Sequence, residues 1–265
     1  MNKPCELKVV DGKNYVSVAE EARGKLSTFG LQYLQEHGFF NDLPSDQEGY
    51  TPWYTYPAIA YLKDILTKQH KVLEYGSGYS TLFYKERVEH LFTVEHELEW
   101  AQKIVALNGD LSIEVCVPQC KPVDESFPKI TEFLQTINQI RSNNVNNDLT
   151  HGLINNDFAG YASQIYRYPK GYFDIVVIDG MARMLCAFLA AEMINENGII
   201  ILDNSDRWQY NNIQTYLTNN GYGRIDFWGP GHGVYERWCT SFFSKNYKIK
   251  SNFVERPVVE GPILR

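Results

Sequence analysis

The stretch Lys71–Tyr84 reads K-V-L-E-Y-G-S-G-Y-S-T-L-F-Y. Val72 and Leu73 close a short apolar run of the kind that forms a buried strand. Gly76 and Gly78 then permit a tight turn and a close backbone approach. Ser80 and Thr81 suit the cap of a following helix, which Leu82, Phe83 and Tyr84 continue. Strand, glycine turn and helix in that order build a ligand crevice at the carboxyl end of a parallel sheet. The chain around them is expected to be an α/β fold.

The turn discriminates among nucleotides. A dinucleotide fingerprint is G-x-G-x-x-G, and its third place is Thr81 here, which disfavours NAD and FAD. A phosphate-binding Walker loop would need Gly-Lys-Ser/Thr after a four-residue gap, and none exists. An acid, Glu74, precedes the first glycine instead. A carboxylate there repels a pyrophosphate and suits a cationic ligand. S-adenosylmethionine carries a sulfonium and an ammonium and no phosphate. Leu91–Glu95 is a second short strand, also ending in a carboxylate. An acid at that place is the usual partner of a ribose diol, so Glu95 is the candidate for the ribose, with His96 beside it.

Composition bounds the rest. The 265 residues fit one large α/β domain with additions, and 44% hydrophobic residues supply a sizeable core. Aromatic residues reach 14%, a surplus that suits a pocket for a flat or apolar ligand. The net charge is −7 and no Lys/Arg-dense run occurs, which weighs against nucleic acid or an anionic membrane as partner. Cys5, Cys116, Cys120, Cys186 and Cys239 are scattered and complete no zinc pattern, so reduced thiols are expected. With no apolar leader at the N-terminus and no run of membrane-spanning length, a cytoplasmic location is expected.

In chain order, residues 1–57 form an N-terminal extension, with helical stretches at Val16–Phe29 and Leu31–His37 and a loop at Asn41–Gly49. Pro52-Trp53-Tyr54-Thr55-Tyr56-Pro57 is extended or turned. Tyr54 and Tyr56 either wall the cofactor crevice or latch the extension onto the domain; both readings stand. The main domain runs over 58–246, opening with an amphipathic helix at Ala58–Thr67. Leu98–Leu107 is the next helix, Ser112–Val117 a third strand, and Pro118 and Gln119 border an adenine site by position. An insertion spans about 121–170, with a helical run at Ile130–Ile140, an Asn-rich surface loop or partial lid over 141–157, and a short helix at Tyr161–Tyr168. Phe173–Ile178 is a central strand ending in Asp179, followed by a helix from Arg183 to about Asn195. Ile199–Leu202 is another, ending in Asp203-Asn204-Ser205-Asp206. Trp208–Asn219 is helical, Arg224–Trp228 a strand, Gly229–Glu236 a Gly-rich loop and Cys239–Ser244 a final strand in an antiparallel pair. Residues 247–265 form a tail.

The order of E-Y-G-S-G, the strand-end Glu95 and two further acidic strand ends resembles the class I S-adenosylmethionine-dependent methyltransferases. More narrowly, V-L-E-Y-G-S-G-Y-S, I-D-G at Asp179 and L-D-N at Asp203-Asn204 resemble the cation-dependent catechol and caffeoyl-CoA type O-methyltransferases. W-Y-T-Y-P, V-E-H, I-D-G-x-x-R and L-D-N-S-D-R are also similar to uncharacterised bacterial methyltransferase-like proteins. The resemblance implies a Rossmann-like sheet, mostly parallel with a final antiparallel strand and helices on both faces. It implies S-adenosylmethionine held by Glu74, Gly76, Ser77, Gly78, Ser80, Thr81, Glu95, His96, Asp179, Tyr54 and Tyr56. It further implies Mg²⁺ on Asp179, Asp203 and Asn204, an oxygen-only set suited to a hard cation. Without a metal, Asp179 contacts cofactor or substrate and serves catalysis alone, while Asn204 and Asp206 cap the next helix.

The chain departs from that pattern at one place. The family's basic lysine, three residues after the first metal Asp, is Ala182 here. The neighbouring Arg183 is a poor general base, which leaves Asp206 and His232 as candidates. The expected activity is methyl transfer to a small-molecule hydroxyl, with a non-catalytic binding protein of the same fold as the rival and a homodimer left open.

Overall fold

The computed structural model describes residues 6–10, 13–17, 50–121, 158–231 and 234–247. Two short strands, β1 (Glu6–Val10) and β2 (Lys13–Ser17), pair antiparallel with each other. Val16 therefore lies in a strand and does not begin a helix. The other expectations for residues 18–49, the helical run at 130–140, the loop at 141–157, His232 and most of the tail lie outside the described residues.

The main domain begins with α1 (Tyr56–Ile65) and β3 (Lys71–Tyr75), then α2 (Tyr79–Lys85) and β4 (His90–Glu95). It continues through α3 (Leu98–Leu107) and β5 (Ile113–Val115). Further along the chain come α4 (Ala159–Ala162), a 3₁₀ turn (Ser163–Arg167), β6 (Ile175–Ile178), α5 (Arg183–Met193) and β7 (Ile199–Leu202). The chain closes with a 3₁₀ turn (Trp208–Tyr210), α6 (Asn211–Asn219), β8 (Gly223–Gly231) and β9 (Val234–Ser244).

Seven of these strands form one sheet in the order β5-β4-β3-β6-β7-β9-β8. The pairs among β3 to β7 are parallel, and β9 is antiparallel to both β7 and β8. The expected α/β architecture is thus found, down to the closing antiparallel strand. Counted along the sheet, its first five strands follow the doubly wound order, whose direction reverses between β3 and β6. Ligands of open α/β sheets bind at that reversal, beyond the carboxyl ends of the strands.

Alternation along the strands separates two cores. Val72, Ile175, Val177 and Ile201 pack under Ala58, Ile59 and Leu62 of α1 and Phe83 and Tyr84 of α2. Leu73, Tyr75, Val176, Ile178, Ile200 and Leu202 pack against Ile165, α5 and Ile213 and Leu217 of α6. Both sheet faces are covered, so β6 and β7 read as unbroken apolar runs. Leu62 is fully buried on the α1 face, and its truncation to Ala should cost roughly 2–5 kcal/mol.

Three of the boundary differences from the sequence reading have a bearing on the site's surroundings. Helix α1 starts at Tyr56, ahead of the expected Ala58, because Pro57 fits the first helical turn. Strand β5 is shorter than expected. The expected Gly-rich loop at 229–236 is largely strand: β8 runs to Gly231, β9 starts at Val234, and a register shift at Gly229/Gly231 absorbs Pro230.

Candidate active site

The glycine turn is built on an internal acid. Glu74 points to the α1/α2 face and is fully buried. Its Oε1 accepts from Ser80 Oγ at 2.5 Å, and its Oε2 from Thr81 Oγ1 at 2.7 Å and Thr93 Oγ1 at 3.0 Å. Thr81 Oγ1 also accepts the Gly78 N–H at 2.9 Å, which ties the turn to the first turn of α2. The carboxylate is therefore the turn's internal acceptor, beneath the surface where a ligand would lie. Burial pushes it up to about 7, against the three hydroxyl donors that favour its ionised form.

The two glycines play different parts. Gly76 has φ +95°, and a Cβ there would stand 2.8 Å from the Gly180 backbone. Gly78 has an extended φ of 178°, and a Cβ there would meet nothing nearer than Ser80 Oγ at 3.8 Å. Internal packing needs the first glycine and leaves the second open to an incoming ligand.

Glu95, at the end of β4, holds the other side of the turn. Its Oε2 accepts from Ser77 N at 2.7 Å and Ser77 Oγ at 3.0 Å. Its Oε1 accepts the N–H groups of His96 at 2.7 Å and Glu97 at 2.9 Å. His96 Nδ1 lies 2.6 Å from the same oxygen as an ion-pair contact, though it lacks the alignment of a hydrogen bond. Burial works against ionisation of Glu95, but His96 and these backbone donors outweigh it and bring the carboxyl down to about 2. The same contact raises the pKa of His96. Trp100 Nε1 donates to Ser77 O at 2.7 Å, fixing the turn from α3.

On the far side of the reversal, Asp179 and Asp203 end β6 and β7. Asp179 Oδ1 accepts from Arg183 Nη2 at 2.9 Å. Its Oδ2 takes no hydrogen bond among the described residues, and its side chain keeps 23% exposure. Asp203 is buried, its Oδ1 accepting from Thr240 Oγ1 at 2.6 Å and Trp238 Nε1 at 3.1 Å. Burial raises both carboxyls, that of Asp203 to about 7, where the nearby Asp179 adds to the rise. The turns beyond the two strands use left-handed backbone, at Ala182 (φ 47°) and Asn204 (φ 50°).

The residues expected to hold Mg²⁺ do not form a metal shell. Asp203 Oδ1 is spent on Thr240 and Trp238, while Asp179 Oδ1 and Asn204 Oδ1 both face the Arg183 guanidinium. No group of three or more His, Cys, Asp or Glu side chains is placed to hold a metal among the described residues. A cation shell needs several oxygens converging on one open point, and here a side-chain cation already stands among them. Ala182, where the resemblance places a basic lysine, carries only a fully buried methyl group, so that position offers no base.

The aromatic segment divides by residue. Tyr54 and Thr55 are fully buried, whereas Trp53 is 54% exposed. Thr55 N donates to Thr240 Oγ1 at 3.2 Å and Thr55 Oγ1 to Phe227 O at 3.0 Å. A Cβ on Gly231 would stand 2.2 Å from Tyr54 O. The segment is thus latched to the β8/β9 hairpin, and Tyr56 packs partly buried in the α1/α2 core. The buried Tyr54 and Tyr84 hydroxyls have no aligned hydrogen-bond partner. The charges of Glu74 and Asp179 add to the burial that holds both phenols well above their ordinary pKa.

Glu74, Glu95, Asp179 and Asp203 thus stand at the carboxyl ends of four neighbouring strands, β3, β4, β6 and β7. The sequence reading passed over Arg183 as a clamp, Trp100, and the Trp238/Thr240 pair. Trp238 and Thr240 alternate on one face of β9, a period-two signal present in the sequence. Gln119, expected near an adenine, has φ 69°, in the turn after β5.

No protein-family model matches the chain, and no curated protein matches it in sequence. Among solved structures, a methyltransferase-like protein from Silicibacter pomeroyi is similar at 20% identity, over 71% of this chain and 86% of that one, with a TM-score of 0.41. A precorrin-6y C5,15-methyltransferase from Geobacter metallireducens is similar at 12% identity, over 71% and 87%, with a TM-score of 0.41. A spermidine synthase from Thermotoga maritima is similar at 11% identity, over 89% of this chain and 63% of that one, with a TM-score of 0.39. At these scores the likenesses carry no weight, and the fold rests on the strand order above.

Proposed function

We propose that this protein is an S-adenosylmethionine-dependent methyltransferase whose acceptor is a small molecule, methylated at a hydroxyl oxygen. The observation that carries the reading is the ionised Glu95 at the end of β4 and the open Oδ2 of Asp179 at the end of β6, on either side of the glycine turn, while Glu74 and Asp203 are taken up inside the protein. Carboxylates so placed repel a pyrophosphate and favour a cation. The open backbone at Gly78 leaves room for close approach.

When bound, S-adenosylmethionine supplies an electrophilic methyl group on its sulfonium. Gly76, Ser77 and Gly78 would line its methionine end, with Glu74, Ser80 and Thr81 holding that turn rigid from below. Glu95 is ionised throughout the physiological range and would hold the ribose diol. Asp179 would offer its free Oδ2 at the reacting end, orienting the acceptor and taking its hydroxyl proton as the oxygen is methylated. Most of the acceleration then comes from proximity and alignment, since the donor is already reactive. Incubation with S-adenosylmethionine and a panel of hydroxyl compounds tests this. The expected product is S-adenosylhomocysteine in step with a methylated acceptor.

A second reading, a binding protein without turnover, draws on the buried Ala182, which leaves the family's base position empty of a proton acceptor. Saturable binding of S-adenosylmethionine with no turnover on any acceptor would favour it.

A further inference from the structure

The guanidinium of Arg183 is the most heavily bonded side chain on this rim. Its Nε donates to Gly180 O at 3.0 Å. Nη1 donates to Asp203 O at 2.7 Å and reaches Asn204 Oδ1 at 3.5 Å. Nη2 donates to Asp179 O at 3.1 Å and to Asp179 Oδ1 at 2.9 Å. The Tyr210 ring lies 5.2 Å from its Cζ. Every acceptor comes from the turns after β6 and β7, and the side chain is almost wholly buried. An Arg has five N–H donors in a fixed planar fork, and this one meets five oxygens.

We propose that Arg183 is a built-in cation standing in the place of a divalent metal, so that this site works without one. A metal held by Asp179, Asp203 and Asn204 would stand against this guanidinium, which already takes Asp179 Oδ1, Asn204 Oδ1 and the carbonyls of Asp179, Gly180 and Asp203. The fixed fork leaves Asp179 Oδ2 as the free carboxylate oxygen of the pair. Arg183 is a positioning residue: it sets the direction of Asp179 and touches no ligand itself. A metal chelated by two adjacent acceptor oxygens has no place in this arrangement, so one donor group on the acceptor meets Asp179. The inference does not depend on which cofactor the glycine turn takes.

Calorimetric titration with Mn²⁺ tests it, in the absence of any cofactor, on the full chain and on Arg183→Ala and Arg183→Lys. The wild type and Arg183→Lys should show no stoichiometric Mn²⁺ site. Arg183→Ala opens a cage of the five oxygens that the guanidinium meets, and should bind one Mn²⁺ at least roughly tenfold more tightly than the wild type. That gain should vanish in Arg183→Ala/Asp179→Asn. A merely structural arginine would give no such gain. Should Arg183→Ala fail to fold by circular dichroism, Arg183→Gln takes its place. Stoichiometric Mn²⁺ binding by the wild type that Asp179→Asn abolishes would overturn the proposal, as would a folded neutral variant that gains no metal affinity.

Discussion

Gly76 and Gly180 press backbone to backbone: a methyl group on Gly76 would stand 2.8 Å from both Cα and N of Gly180. The turn after β3 and the turn after β6 therefore interlock across the reversal in strand order. Gly76→Ala combines that overlap with a left-handed φ and should cost roughly 2 kcal/mol or more, a fall in Tm of about 4–8 °C. Gly78→Ala should leave Tm nearly unchanged while weakening S-adenosylmethionine binding. Thermal denaturation and titration of both variants separate the two roles.

Glu74 should make the protein less stable as pH rises. Its folded pKa of about 7 lies above the ordinary 4.5, so its contribution is fully present below pH 4.5 and is lost as pH climbs through 7. The full loss is on the order of 3 kcal/mol. Glu74→Gln keeps the shape and cannot ionise, and the Ser80 hydroxyl can turn to accept from its amide. The variant's Tm should be flatter than the wild type's between pH 5 and 7.5. An unchanged slope would show that the buried carboxyl is not its source.

Glu95 has the opposite sign. Its pKa is depressed to about 2, so its stabilisation is present above pH 4.5 and lost as pH falls towards 2. Glu95→Ala removes the acceptor for Ser77, His96 and Glu97 and should cost roughly 1–3 kcal/mol at pH 7. It should also lower S-adenosylmethionine affinity by about tenfold or more, the worth of one charge-assisted hydrogen bond. Equal affinity in variant and wild type would remove the ribose assignment.

Thr240 serves two partners, donating to Asp203 Oδ1 at 2.6 Å and accepting from Thr55 N at 3.2 Å. Thr240→Val leaves both buried groups a bond short, at roughly 1–3 kcal/mol. Because Asp203 titrates near 7 through burial and the nearby Asp179, the loss should be larger at pH 8 than at pH 5.5. Parallel melting curves at the two values check the sign.

The site's outline was legible because its signals are local. The glycine turn, its strand and its helix lie in one contiguous stretch, and each further carboxylate sits at the end of its own apolar run. What escaped the sequence depends on contacts between distant segments. Glu74 was expected to meet a cationic ligand, but Thr93 on the neighbouring strand completes its internal shell. Tyr54 was expected at a wall or a latch, and the latch is made next to it, by Thr55 N on Thr240 of the hairpin nearly two hundred residues onward. The metal expectation followed from residue identities alone. Only the path of the Arg183 side chain back across both turns shows those oxygens already engaged.

The central claim is that this acidic rim receives a positively charged methyl donor. Isothermal titration of the wild-type chain with S-adenosylmethionine, alongside NADH under the same conditions, tests it most directly. Saturable one-to-one binding of the sulfonium compound with no response to the dinucleotide is expected. Silence with S-adenosylmethionine at millimolar concentration, or binding of NADH in its stead, would contradict it.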